Sequence, residues 1–163
     1  MQNIVFREWV PAGNFVRFLM LGFSFIIFFV TILLVVFGDL TVEDYYGLIF
    51  GWGVLAFILF LFWNYRGLEV KISSTEISVK YGLFNKKSIR LAEITSCKVT
   101  KASFRRYKGI GVRYGFDGSI AYSTSFGNAV EIVPKEGHTF VFSSNSPQEI
   151  CNTIKNKNEK RLG

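Results

Sequence analysis

Two stretches of this chain carry no charged residue: residues 18–37, twenty in a row, and residues 45–63, nineteen in a row. A helix rises about 1.5 Å per residue, so ~20 apolar residues cross the ~30 Å hydrocarbon core of a bilayer. Burying both as helices inside a soluble core would need a much larger shell, because each is apolar on every side. The first run is longer than the ~7–15 apolar residues of a secretory signal, and Gly38-Asp39-Leu40-Thr41 offers no small-residue cleavage pattern. A second run follows at once. The expectation is an uncleaved hairpin of two transmembrane helices within residues 18–64.

Charge predicts how the hairpin sits. Residues 38–44 hold Asp39, Glu43 and Asp44 and no Lys or Arg, whereas Arg7 and Arg17 precede the first span and Arg66 and Lys71 follow the second. Lys/Arg excess marks the cytoplasmic side, so both termini are expected in the cytoplasm. Trp9, Tyr45, Tyr46, Trp63 and Tyr65 fall near the expected interfaces, where amphipathic rings are favoured. Gly47, Gly51 and Gly53 offer a small-residue face for helix packing, either against the first span or against another subunit. Neither span holds an ionisable residue of the kind transporters and proton pumps use at membrane depth.

Beyond residue 64 the period of the pattern changes to two. Leu68, Val70 and Ile72 alternate with Glu69, Lys71 and Ser73, and Ile77 and Val79 alternate with Glu76, Ser78 and Lys80. Alternation of this kind marks strands with one buried face. Ser73-Ser74-Thr75 reads as the first hairpin turn and Phe84-Asn85-Lys86-Lys87 as the second. Further strands are expected at residues 88–91, 96–102, 109–114, 119–122, 129–133 and 139–142. Ser146-Pro147-Gln148-Glu149 then opens a helix, with Ser at the N-cap, Pro in first position and Glu in third. Ile150, Cys151 and Ile154 form its apolar stripe, and residues 158–163 read as a polar tail. The layout expected is a membrane α-hairpin followed by a mainly-β domain, an antiparallel barrel capped by a C-terminal helix. Its parts are a cytoplasmic arm (1–17), the hairpin (18–64), the cytoplasmic domain (65–157) and the tail (158–163).

The runs Arg113-Tyr114-Gly115, Ala121-Tyr122, Gly127-Asn128-Ala129-Val130-Glu131-Ile132, Lys135-Glu136-Gly137 and Ser146-Pro147-Gln148-Glu149-Ile150 carry a resemblance. Over about residues 68–157 the chain resembles the bacterial PH-domain family, pleckstrin-homology-like domains that often follow two membrane helices. At Asn128-Ala129 it has one residue more than the usual G-V-E pattern. The resemblance implies the fold, a bacterial cytoplasmic (inner) membrane and little about function.

No catalytic set stands out. His138 is the only histidine and lies in an expected turn. The two cysteines, Cys97 and Cys151, form no C-x-x-C pair, and in the cytoplasm, where disulfides are rare, their expected role is core packing. Gly109-Ile110-Gly111-Val112-Arg113 lacks the spacing and the strand–helix setting of a nucleotide loop. No enzyme, metal or cofactor is expected. The basic stretch is more informative. Lys86, Lys87, Arg90, Lys98, Lys101, Arg105, Arg106, Lys108 and Arg113 are opposed only by Glu93 between residues 86 and 113, and Phe104 and Tyr107 interleave with them. The first eight are the candidate lipid- or partner-binding residues. Each cation near an anionic leaflet is worth ~1 kcal/mol, enough for a few to orient a tethered domain. Nucleic acid is not expected, since charge alone permits it but no binding motif appears. The chain is +7 overall, yet residues 65–163 carry +9 and the linker −3. The expected function is a membrane-anchored binding or scaffold module that engages a protein partner or anionic phospholipid headgroups. The alternative is a small accessory subunit of a larger membrane complex.

Overall fold

The computed structural model describes residues 4–38 and 41–162, apart from the side chains of residues 15, 104 and 160–162. Asp39 of the expected acidic linker lies outside the described residues, as does the Phe104 side chain. The described chain divides into two compact units, one of residues 13–64 and one that combines the segment up to Ala12 with everything from Tyr65 on.

The helical unit contains α1 (Asn14–Phe37) and α2 (Val42–Asn64). Both are long and apolar enough to cross a membrane. Thr41 starts α2 with a reciprocal cap: its hydroxyl and its backbone N–H both donate to Asp44 Oδ2, at 2.7 and 2.8 Å. Glu43 and Asp44, expected in a linker, form the first turn of α2, where the positive end of the helix dipole favours them.

The second unit holds two sheets. The first is wholly antiparallel, in the order β1 (Ile4–Pro11), β2 (Gly67–Ser73), β3 (Glu76–Tyr81), β4 (Asn85–Arg90). The second has the order β5-β8-β9-β7-β6, from β5 (Ile94–Ala102), β6 (Gly111–Tyr114), β7 (Ile120–Ser123), β8 (Gly127–Pro134) and β9 (Phe140–Ser143). A single turn, α3 (Phe104–Tyr107), follows β5, and α4 (Pro147–Leu162) ends the chain.

Four expectations about the sheets and the tail need correction. The barrel is not closed: after the 3₁₀ turn Leu91–Glu93, β5 pairs with β8 and not with β4, so two sheets form. One pairing, β7 with β9, is parallel, because β9 folds back from β8 and takes β7 on its other side. The second hairpin turns at Gly82-Leu83-Phe84, where Gly82 takes φ +70, so β4 begins at Asn85. The expected tail is helical as far as Leu162. The extra residue at Asn128-Ala129 causes no slip, and the two sit opposite Lys101 and Thr100 in regular register.

The period-two pattern builds the core. Leu68, Val70 and Ile72 of β2 and Ile77, Val79 and Tyr81 of β3 form one buried cluster with Val130, Ile132, Phe140 and Phe142 of the second sheet and Ile150 and Ile154 of α4. Each such side chain contributes about 1.5–3 kcal/mol by leaving water. Tyr65 sets its ring edge-on to Tyr81 at 5.3 Å and accepts a hydrogen bond from Asn85. Burial pushes the Tyr81 hydroxyl up to about 12.

Strand β1 is the element that periodicity does not announce. It pairs with β2 over nearly its whole length, sends Val10 into the core, and lays the Trp9 ring over Gly67. A Cβ on Gly67 would run into that ring, so any other residue here would have to displace Trp9. Glu8 reaches the start of α4: Ser144 Oγ donates to its carboxylate at 2.7 Å, and the N–H groups of Asn145 and Ser146 donate at 2.7 and 3.1 Å. Free N–H groups ahead of α4 are thus met by a residue more than 130 positions away. Glu8→Gln is expected to cost about 1–3 kcal/mol in denaturant unfolding.

The cysteines do more than pack. Cys97 of β5 and Cys151 of α4 form a disulfide with Cα atoms 5.4 Å apart, correcting the expectation of two core thiols. It closes a loop of 54 residues, for which chain entropy gives about 4 kcal/mol of stabilisation. Reduction, or Cys97→Ser with Cys151→Ser, is expected to lower the thermal midpoint, and an unchanged midpoint would refute the bond.

Candidate functional site

The basic segment is continuous in sequence but divided in space. Lys86, Lys87 and Arg90 lie on β4, the edge of the first sheet. Lys98 and Lys101 lie on β5, the edge of the second, and Arg105, Arg106 and Lys108 lie on or just after α3. The structure therefore offers separate sets of cations, with different surroundings.

On the first sheet Lys86 stands directly opposite Lys80, and Arg90 stands opposite Glu76. Like charges facing each other across a ladder repel, and an anion between them relieves this. Lys80 belongs to this set although the sequence analysis leaves it out. Between the two lysines the turn exposes Leu83 (54%) and Phe84 (74%). An apolar tip flanked by Lys80, Lys86 and Lys87 results. Arg90 differs from its neighbours, because its guanidinium is hydrogen-bonded to Glu93.

Arg106 is a structural residue. Nη1 pairs with Glu131 at 2.6 Å, while Nε and Nη2 donate to Asp117 Oδ2 at 3.0 and 2.6 Å. Its side chain is only 29% exposed. Burial works against its charge, but the bonds to Glu131 and Asp117 outweigh that and raise its pKa. Next to it, the Tyr107 hydroxyl is 3.0 Å from Ser119 Oγ, and Asp117 Oδ1 accepts from Ser119 Oγ at 2.6 Å. α3 is thereby tied to the β6–β7 turn and to β8. Arg105 is exposed and has no ion-pair partner among the described residues. Lys108 takes φ +51 and places Nζ 4.7 Å above the Phe116 ring. Phe116 and Tyr114 are 78% and 75% exposed, so a second surface of exposed rings and cations sits on the other sheet.

Among the glycine candidates, a Cβ on Gly47, Gly51 or Gly53 would meet nothing within 4 Å. They do not bring α2 close against α1. Gly47 and Gly51 instead line an apolar groove of about 350 Å³ between the two helices, with Ile27, Val30 and Trp52. His138 is exposed in its turn. Among the described residues no group of three or more His, Cys, Asp or Glu is placed to hold a metal.

Fold and surface together define a PH-like domain with two apolar helices, a membrane-associated module. The family model for the bacterial PH domain matches residues 16–112, more than half of the chain, and the chain belongs to that family. The match runs from Val16 of α1 through α2 and β2–β5 to the middle of β6, leaves out β1, and ends where the Arg113–Ile150 motifs begin. No curated protein and no solved structure matches the chain.

The Asp117 carboxyl is drawn down from 3.8 to about 2, chiefly by the Ser119 hydroxyl bond, with Arg106 adding and slight burial opposing. A carboxyl depressed on folding stabilises fully above its unfolded pKa near ~4, and this stabilisation is lost as pH falls through about 2. Unfolding followed from pH 5 to pH 2 is expected to show that loss, and Asp117→Asn to remove it. Arg106→Ala is expected to destabilise by about 1–3 kcal/mol because it strands Glu131, while Arg105→Ala stays within about 0.5 kcal/mol.

Proposed function

We propose that this protein is a non-enzymatic, membrane-anchored module whose PH-like domain engages anionic phospholipid headgroups at the cytoplasmic face of the bacterial inner membrane. The observation that carries this reading is the β3–β4 tip: exposed Leu83 and Phe84 between the facing pair Lys80 and Lys86, with Lys87 beside them. Apolar side chains favour the acyl boundary and cations favour the headgroups above it, so such a tip suits an anionic interface. The helices supply residence at the membrane, and the tip supplies pose and headgroup selection. Arg106 and Arg90 leave the earlier candidate set, since their charges are answered within the domain.

The strands on either side of the helical pair, β1 and β2, are neighbours in one sheet. That supports two crossings with both ends in one compartment, and the Lys/Arg distribution favours the cytoplasm. The disulfide argues the other way, because thiols are kept reduced there. Orientation is therefore to be measured directly. A C-terminal green fluorescent fusion is expected to fluoresce and an alkaline phosphatase fusion to be inactive, and the reverse pattern would overturn the cytoplasmic assignment.

The lipid reading is tested on the full chain, because a fragment beginning at Tyr65 would lack β1 and with it Val10 and Glu8. In nanodiscs, the quenching by brominated acyl chains that Phe84→Trp adds over that of the native Trp9, Trp52 and Trp63 is expected to be strong when phosphatidylglycerol is present. Lys80→Glu with Lys86→Glu should abolish the difference from phosphatidylcholine. Equal quenching in both lipids by the parent tip would count against the proposal.

A second reading, an accessory subunit of a larger membrane complex, is favoured by the open faces of Gly47 and Gly51, where another helix has room to approach. Mild-detergent purification that yields only monomer would remove it.

A further inference from the structure

We propose that the free edge of β5, together with the facing side of α4, forms a docking groove for an extended acidic peptide that joins the second sheet as a sixth strand. This goes beyond the lipid reading and does not depend on it. β5 ends its sheet, with β8 on one side and no strand on the other among the described residues. Its outer row of backbone N–H and C=O groups is thus a template for one more strand. β5 runs nine residues, Ile94–Ala102, without proline, and its one irregularity of register falls at its start, between Ile94 and Ser96.

A groove of about 410 Å³ lies along this edge. Thr95, Ser96 and Cys97 form one wall, and Cys151, Asn152 and Asn158 of α4 form the other. The Cys97–Cys151 disulfide ties the walls together and fixes their spacing. Asn158 Oδ1 is buried at the groove and accepts no hydrogen bond among the described residues. An unpaired buried acceptor calls for a donor. A peptide backbone brings N–H groups in a regular row, one of which can meet this acceptor.

Charge specifies the peptide. Lys98 and Lys101 are exposed on β5 and have no ion-pair partner among the described residues. Being three apart, they project to opposite faces of the strand. Lys155 adds a third cation at the groove, with Glu159 4.0 Å from it. An added strand with acidic residues on both faces would place one against each lysine, and such cross-strand pairs are favourable.

The test uses the full chain, disulfide intact, in phosphatidylcholine nanodiscs, so that no anionic lipid competes. The probe is a fluorescent peptide of about eight residues with Glu-Glu-Val-Val repeats, which places acids on both faces. Saturable binding by anisotropy is expected. Lys98→Glu with Lys101→Glu should weaken it roughly tenfold or more, and Asn158→Ala should weaken it too. N-methylation of alternate peptide residues should abolish binding in one phase and spare it in the other, because only every second N–H faces the edge. Two results would overturn the proposal. One is no saturable binding by a chain whose thermal midpoint is that of the parent. The other is binding retained in both N-methylated phases, which would be charge adhesion without a strand.

Discussion

The pairing of β1 with β2 is the interaction on which the rest depends. The two strands are consecutive in the sheet but separated in sequence by both apolar helices. A chain that crosses a membrane twice and returns can form such a ladder, while one that crosses once cannot. The same strand supplies Val10 to the core, Trp9 to the surface over Gly67, and Glu8 to the start of α4. The PH-like domain is therefore discontinuous, its first strand lying upstream of the membrane segment.

Charge takes on meaning only through this architecture. A run of nine cations opposed by one acid looks like a single basic surface. The fold distributes it over three edge strands, β4, β5 and β6, and the turn of α3, and then neutralises part of it. Arg106 holds α3 to the β6–β7 turn through Asp117 and to β8 through Glu131. What stays available is Lys80, Lys86 and Lys87 around an apolar tip, Lys98 and Lys101 along an open edge, and Arg105 and Lys108 near exposed rings. The first set is the one proposed for the lipid contact, and the second the one proposed for the added peptide strand.

Much of the fold was legible because its signals are local. An uncharged run of twenty residues has few ways to fold, and Leu68-x-Val70-x-Ile72 states its buried face in the residues themselves. The Ser73–Thr75 turn and the start of α4 at Pro147 were readable for the same reason. β1 was hidden because Ile4-Val5-Phe6-Arg7-Glu8-Trp9 alternates poorly and stands next to a far stronger apolar signal. The second turn was misplaced because Leu83 and Phe84 are apolar and do not look like turn residues; only the positive φ of Gly82 reveals them. At the candidate site, the lysines were legible as charge, but the exposure of the tip and the engagement of Arg106 depend on neighbours 11 and 25 positions away.

The sequence by itself determined that two helices suited to a membrane precede a basic, mainly-β domain, because length, hydropathy and the period of alternation are properties of short windows. Only the tertiary structure decided that the sheets stay open, that the first strand comes from ahead of the helices, that Cys97 meets Cys151, and which cations remain unanswered. Each of these is a pairing between residues far apart in the chain. Such pairings are selected by the shared burial of one core, and no short window of sequence contains that information.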